Sequence, residues 1–267
     1  MGTGWVPTMT GMTPLLVSLA SVVAVAAALR STWSPCGLSM LSTITPIGER
    51  GRNNSYAASA TWFILGAVLG GATLGAGAAL LAAGVAALDL SDAALAGLAA
   101  VLAAVTIVSD LELRGFRLPS HTRQVNEVWL MQYRSWVYGG GFGWQIGVGL
   151  ATYVTTAAVY LMIALAALTA SPGLAFAVVT GFGFVRGLAV LLGRSLTTPQ
   201  RMLDLHRRMA ELLPAAQRTV VVVQAAVLAV AAAAAWGPAP SIVLGILALG
   251  AAIARHPRPA IRPAPTT

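Results

Sequence analysis

The stretch "RSTWSPCGLSMLSTITP", Arg30 to Pro46, interrupts the first apolar run of the chain. That run covers residues 13–47. As one α-helix it would reach about 50 Å, against a hydrocarbon core of about 30 Å. Its stretch 30–46 carries an Arg, two Pro residues and the chain's single Cys, Cys36. Pro lacks a backbone donor and its ring clashes with the preceding turn, so a kinked or broken helix is expected here. Within a bilayer, the carbonyls freed at Pro35 and Pro46 are tolerated only where protein or a water-filled cavity satisfies them. The hydroxyls of Ser34, Ser39, Ser42, Thr43 and Thr45 either line such a cavity or close a static kink.

The rest of the chain sets the medium around this break. Of 267 residues, 57% are hydrophobic and 9% charged, with a mean hydropathy of +0.80. A soluble domain carries roughly 25% charged residues. Runs such as "LVSLASVVAVAAAL" and "VVVVQAAVLAVAAAAAW" are continuous rather than alternating, which excludes a β-barrel and predicts an all-α polytopic membrane protein. All sixteen basic residues are Arg, a mark of a GC-rich genome. No Arg run interleaves with aromatics, so no nucleic-acid partner is expected. One Cys excludes an intrachain disulfide and a multi-cysteine metal site. The opening "MGTGWVPTMTGM" lacks a basic n-region, so no cleaved signal peptide is expected.

Apolar segments fall at 13–47, 57–88, 91–109, 143–170, 173–193, 218–236 and 240–254. The Arg residues alternate between the links. Arg50 and Arg52 follow the first segment, Arg114, Arg117, Arg123 and Arg134 the third, and Arg194, Arg201, Arg207, Arg208 and Arg218 the fifth; Arg255, Arg258 and Arg262 lie in the tail. The intervening links "DLSD", "SP" and "GPAP" have none. This pattern predicts seven spans, N-terminus out and C-terminus in, in a bacterial cytoplasmic membrane. The short last segment admits a second count, six spans and an interfacial helix. In the link 110–142, Val125, Trp129, Leu130 and Tyr133 recur at helical spacing, so an amphipathic helix at the cytoplasmic interface is expected, as a membrane clamp or a docking element. His121 and His206 fall in links and read as solvated. Residues 1–12 form a short extension, 13–254 one membrane domain, and 255–267 a basic, Pro-rich tail expected to be disordered.

The chain also resembles itself. "TWSPCGLSMLSTITP" compares with "GWQIGVGLATYVTTA", pairing Trp33 with Trp144, Cys36 with Gly147 and Thr45 with Thr156. Gly66 and Gly70 likewise pair with Gly183 and Gly187. Three spans separate equivalent positions, so the halves 13–109 and 143–236 would cross in opposite directions, with 240–254 as an extra helix: two inverted three-helix repeats. The glycines have a plainer use as well, since small residues four apart let helices approach closely.

"SPCGLSMLSTITP" followed by "FILGAVLGGATLG" resembles the opening of the CcdA family of cytochrome c biogenesis and the related transmembrane domain of DsbD. Both belong with LysE-type and sulfite-exporter-like proteins in one broad superfamily. The resemblance covers about residues 14 to 193. In the second half "GFGWQIGVG" keeps Gly143-Trp144 but has Ile146 and Gly147 where the family has Pro and Cys. The resemblance implies that two membrane cysteines relay electrons from a cytoplasmic thioredoxin by thiol–disulfide exchange. With one sulfur, this chain is left with mixed disulfides to a partner.

Three readings of Cys36 stay open: a small buried apolar side chain, a lining residue of a substrate path, or a one-cysteine redox group. Arg186 in "GFGFVRGLAVLLG" lies deep in the fifth segment, where a guanidinium costs several kcal/mol unless paired or hydrated. It either faces the bundle interior, where it binds an anion or pairs with a carboxylate, or snorkels to the interface. Arg30 poses the same choice. No acid lies clearly inside a span, and two embedded Arg without an acid favour an anionic solute.

The sequence therefore leads to a transporter of a small, anionic solute working by alternating access. Cys36, Ser39, Thr43, Thr45, Gln145 and Arg186 would form the substrate site, with Pro35, Pro46, Gly66, Gly70, Gly147, Gly183 and Gly187 as hinges. The alternative is a thiol-redox or envelope-protein assembly factor using Cys36 with a partner thiol, such as that of a thioredoxin-like protein. A structural subunit of a membrane complex is the third reading. No catalytic constellation, metal spacing or cofactor motif stands out.

Overall fold

Four Ser/Thr-Pro pairs decide where helices begin: Ser34-Pro35, Thr45-Pro46, Ser171-Pro172 and Thr198-Pro199 each place Pro in the first helical turn. The hydroxyls of Ser34, Thr45 and Thr198 accept from the backbone N–H three residues on. Such caps satisfy a donor that the first turn otherwise leaves bare, and Pro at that position loses no intrahelical bond. The computed structural model of the chain describes residues 11–119 and 133–254. Within them the helices are α1 (Met12–Ser31), α2 (Pro35–Thr43), α3 (Pro46–Gly51), α4 (Tyr56–Ala87) and α5 (Asp92–Asp110). After a single 3-10 turn at Leu113–Gly115 come α6 (Ser135–Val148), α7 (Ala158–Leu168) and α8 (Pro172–Leu188). A 3-10 continuation of α8 runs over Ala189–Ser195, and α9 (Pro199–Trp236) and α10 (Pro238–Ala254) close the order.

The chain is all-helical, with no strand among the described residues. Among the described residues five helices are long and apolar enough to cross a membrane: α1, α4, α5, α8 with its 3-10 continuation, and α9. Each is buried over less than half of its apolar window, and the remaining apolar surface suits lipid. The helix α7 is apolar but shorter.

Of the two forms expected for the first segment, kinked or broken, the chain takes the broken one. Pro35 and Pro46 start new helices, so neither frees a carbonyl inside a continuous one, and the Ser34 and Thr45 hydroxyls act as caps. The expected span 143–170 is likewise two helices, α6 and α7, joined by the non-helical stretch 149–157. It also begins earlier, since Ser135 to Phe142 of the expected link are already helical. The expected segment 218–236 is the end of α9, whose polar first half carries Arg201, Asp204, Arg207, Arg208 and Glu211. At about 1.5 Å per residue α9 is about 57 Å long, well beyond the hydrocarbon core. His206 is therefore helical rather than in a solvated link, and its Nε2 lies 3.1 Å from the Ser42 hydroxyl. The expected interfacial helix around Val125 and Trp129, and the tail 255–267, lie outside the described residues.

Packing places α4 between α6 and α8, α1 against α7 and α8, and α9 along α5 and α10. Glycine makes the α4 contacts possible. A Cβ on Gly66 or Gly70 would overlap backbone atoms of Gly140 and Trp144, and one on Gly147 would overlap Ala67. Buried apolar residues form a large cluster from α1, α5, α7, α8 and the second half of α9. A smaller cluster joins Cys36, Met40, Leu41 and Ile44 to Phe63, Phe142, Ile146, Val190 and Met209.

A candidate buried polar centre

Three groups of buried polar side chains lie where the broken helices meet the long ones. The first surrounds Cys36 and Arg186. Cys36 is 1% exposed in the second position of α2, one turn before Met40. Arg186 is 4% exposed, and its guanidinium lies 5.5 Å from the Phe182 ring centroid. Its Nη1 has no hydrogen-bond partner, and the Cys36 thiol is close enough to act on it electrostatically. Beside them is a cavity of about 10 Å³, lined by Ser31, Thr32, Gly37, Met40, Ile146, Arg186 and Ala189. That is room for a single water-sized occupant. Arg186 thus turns inward rather than snorkelling to an interface.

The other expected site residues are placed elsewhere. Thr45 caps α3, and the Thr43 hydroxyl donates to the Ser39 carbonyl at 2.8 Å. Ser39, Thr43 and Gln145 are half-buried and do not line the cavity. Among the expected hinge glycines, Gly66, Gly70, Gly147, Gly183 and Gly187 all face a neighbouring helix at a distance that leaves no space for a side chain. Their geometry is that of close helix packing.

The second group is built on Glu49, which is fully buried. Its Oε1 accepts from Arg52 at 2.6 Å, and its Oε2 accepts from Tyr138 at 2.5 Å and Ser59 at 2.8 Å. Arg52 also donates to the Thr43 carbonyl at 2.6 Å and lies over the Tyr138 ring. Burial works against the Arg52 charge, but the hydrogen bond and attraction to Glu49 outweigh it and raise the guanidinium above its ordinary value. This cluster ties α3 to the first turns of α4 and α6.

The third group centres on Asp110, at the end of α5. A carboxylate there faces the negative end of the helix dipole and needs donors. It accepts from the Thr156 hydroxyl and the Ala157 N–H, each at 2.6 Å, and from Gln224 Nε2 at 2.9 Å. Arg30, buried at the end of α1, is its Coulombic partner. An acid at the end of a span was not expected to be buried, so the expectation of embedded Arg without embedded acid is corrected by Asp110 and Glu49. The signals were present: the chain has only eight acids, and an Asp closing an apolar helix must find donors.

These features define a class: an all-helical protein with five helices long and apolar enough to cross a membrane, whose interior polarity is concentrated where its helices break. Comparison with known proteins adds a more particular likeness. The chain is 30% identical over 174 residues to the methylamine utilization protein MauF of Paracoccus versutus, covering 63% of this chain and 62% of the relative. It is 32% identical over 186 residues to MauF of Paracoccus denitrificans, covering 67% and 65%. To MauF of Methylorubrum extorquens it is 31% identical over 164 residues, covering 60% and 56%. The match thus spans less than two thirds of each relative's length. No family profile matches the chain, and no solved structure does.

These relatives overturn the resemblance to CcdA, DsbD and the LysE-type superfamily, and with it the transporter reading. The physical reason lies in the motif that carried the resemblance. Ser-Pro and Thr-Pro pairs are general helix-start chemistry, occurring here at four helices, and say nothing about redox or transport.

Proposed function

We propose that this chain is a multi-pass accessory protein of methylamine utilization. In this reading it works in the bacterial cytoplasmic membrane, helping to assemble or mature the envelope enzyme that oxidises the amine. The observation that carries the reading is the similarity to MauF proteins from several bacteria at about 30% identity. Growth on methylamine requires its C–N bond to be oxidised and cleaved, so an oxidising enzyme is the natural client. The partner is therefore a protein rather than a transported solute.

In this proposal the chain crosses seven times, with α6 and α7 forming one broken crossing and α10 the last, N-terminus out and C-terminus in. Arg50, Arg52, Arg114, Arg117, Arg194, Arg201, Arg207 and Arg208 would share the cytoplasmic side, which supports the orientation. Two inverted halves are supported by the pairing of corresponding elements, α1 with α7, α4 with α8 and α5 with α9. Cys36 serves as a packed side chain of the smaller apolar cluster beside the Arg186 cavity; a thiol 1% exposed is poorly placed to attack a partner's disulfide.

The test is deletion of the gene in its host. Growth on methylamine should be lost, growth on ammonium with another carbon source should be unchanged, and a plasmid copy should restore the first. Undiminished growth on methylamine would overturn the proposal.

A further inference from the structure

Arg186 leaves a problem that the proposed function does not solve. It is a buried cation in a span, and no carboxylate lies within salt-bridge distance of it among the described residues. The other embedded cation, Arg30, has Asp110 as its counter-charge. Beside Arg186 lies the buried Cys36 thiol. A buried charge without compensation is strongly disfavoured, and the group is retained only where something pairs with it.

The cavity supplies the place for that partner. Arg186 Nη1 has no hydrogen-bond partner and belongs to a side chain that is 4% exposed, on the wall of a cavity holding about one water-sized occupant. The other walls are consistent with an anion. Gly37 lies in the first turn of α2, near the positive end of its helix dipole, with its own N–H held by the Ser34 hydroxyl. Thr32 lines the space as well, and among the described residues no acid does. Gly149, whose positive φ of 73° bends the chain away from α6, lets the backbone pass close to Arg186 Nη1.

We propose that this cavity is a resident site for a single monatomic inorganic anion, which needs a space only a few tenths of an ångström wider in radius than a water, held by Arg186 between α1, α2, α6 and α8. The anion neutralises the guanidinium and fixes the break after α1 against α8. It is a counter-ion of the fold and not cargo. A water would hydrate Nη1 but leave its charge uncompensated, and an oxyanion such as sulfate is too large for the space. The inference stands independently of the role in methylamine utilization.

The test uses full-length protein purified in detergent, at constant ionic strength and with gluconate as the reference anion. Adding chloride should raise the midpoint of thermal unfolding saturably, on the order of 5 °C once the site is filled. Bromide should act likewise, and sulfate and acetate should not. Arg186→Gln should abolish the halide effect, and Cys36→Ser should keep it. Crystals grown in bromide should show an anomalous peak beside Arg186. Should Arg186→Gln fail to fold, the wild-type anion series and the bromide peak decide the matter. Equal midpoints in chloride and gluconate, an equal effect of sulfate, or loss of the halide effect in Cys36→Ser would each overturn the proposal.

Discussion

Replacing Glu49 by Ala removes the acceptor on which three side chains converge. Arg52, Ser59 and Tyr138 donate to it at 2.6, 2.8 and 2.5 Å, and the carboxylate is fully buried. A hydrogen bond to a charged group contributes about 1.5–3 kcal/mol. Three such bonds to one carboxylate are not additive. Breaking a buried pair from one side costs about 3–5 kcal/mol. Arg52 is 21% exposed and regains some hydration, which places the expected loss at the lower end, about 3 kcal/mol. For a chain of this size that corresponds to a fall of about 6–12 °C in the unfolding midpoint. The assay is thermal unfolding of detergent-purified protein, followed by intrinsic fluorescence or loss of the monodisperse peak. Glu49→Gln keeps the volume and one acceptor oxygen, so about half that fall is expected. Arg52→Ala should cost less in the Glu49→Ala background than in the wild type, by about 1 kcal/mol or more. A midpoint for Glu49→Ala within about 2 °C of wild type would refute the reasoning, because it would mean that the cluster contributes under about 1 kcal/mol.

Three further outcomes follow from the same geometry. Gly147→Leu places a side chain against the Ala67 backbone and should prevent α4 and α6 from packing, so the variant should be lost from the membrane fraction, whereas Gly77→Leu, with open space around it, should accumulate normally. Asp110→Leu removes the acceptor for Thr156, Ala157 and Gln224 and strands Arg30, so a loss of about 3–5 kcal/mol is expected. Asp110→Asn should cost less, because Gln224 has an unpartnered Oε1 and can turn its amide to accept; equal losses in thermal unfolding would contradict this. Cys36 is 1% exposed, so maleimide labelling in intact membranes should be slow and become complete only after denaturation in detergent; rapid native labelling would contradict the burial.

The broad architecture was legible because hydrocarbon imposes a simple rule. Long apolar runs must be helices, and α4 and α5 begin and end within a residue or two of the expected segments 57–88 and 91–109. The broken elements were harder to read. Pro35 and Pro46 signal an interruption, but the same residue kinks a helix or starts one, and Ser34 and Thr45 decide for a start by capping. The stretch 149–157 contains no Pro at all; Gly149 ends α6 with a positive φ that a sequence of many glycines does not single out. The first half of α9 was assigned to a link because its charges lower the local hydropathy, although helices continue well past the hydrocarbon. Within the centre, Arg186 and Cys36 were found because a charge and a lone thiol are conspicuous among apolar residues. Glu49 and Asp110 were passed over because they sit at the ends of segments, and only tertiary packing shows that those ends are buried. The likeness to MauF was not visible in any short motif; it emerges only from identities spread over 164 residues or more.

The measurement closest to the central claim is replacement of a relative by this chain. A Paracoccus denitrificans strain lacking its own MauF, given this chain on a plasmid, should regain both growth on methylamine and methylamine-oxidising activity in cell extracts. A strain that makes the chain in its membranes at a normal level and still shows neither would contradict the account.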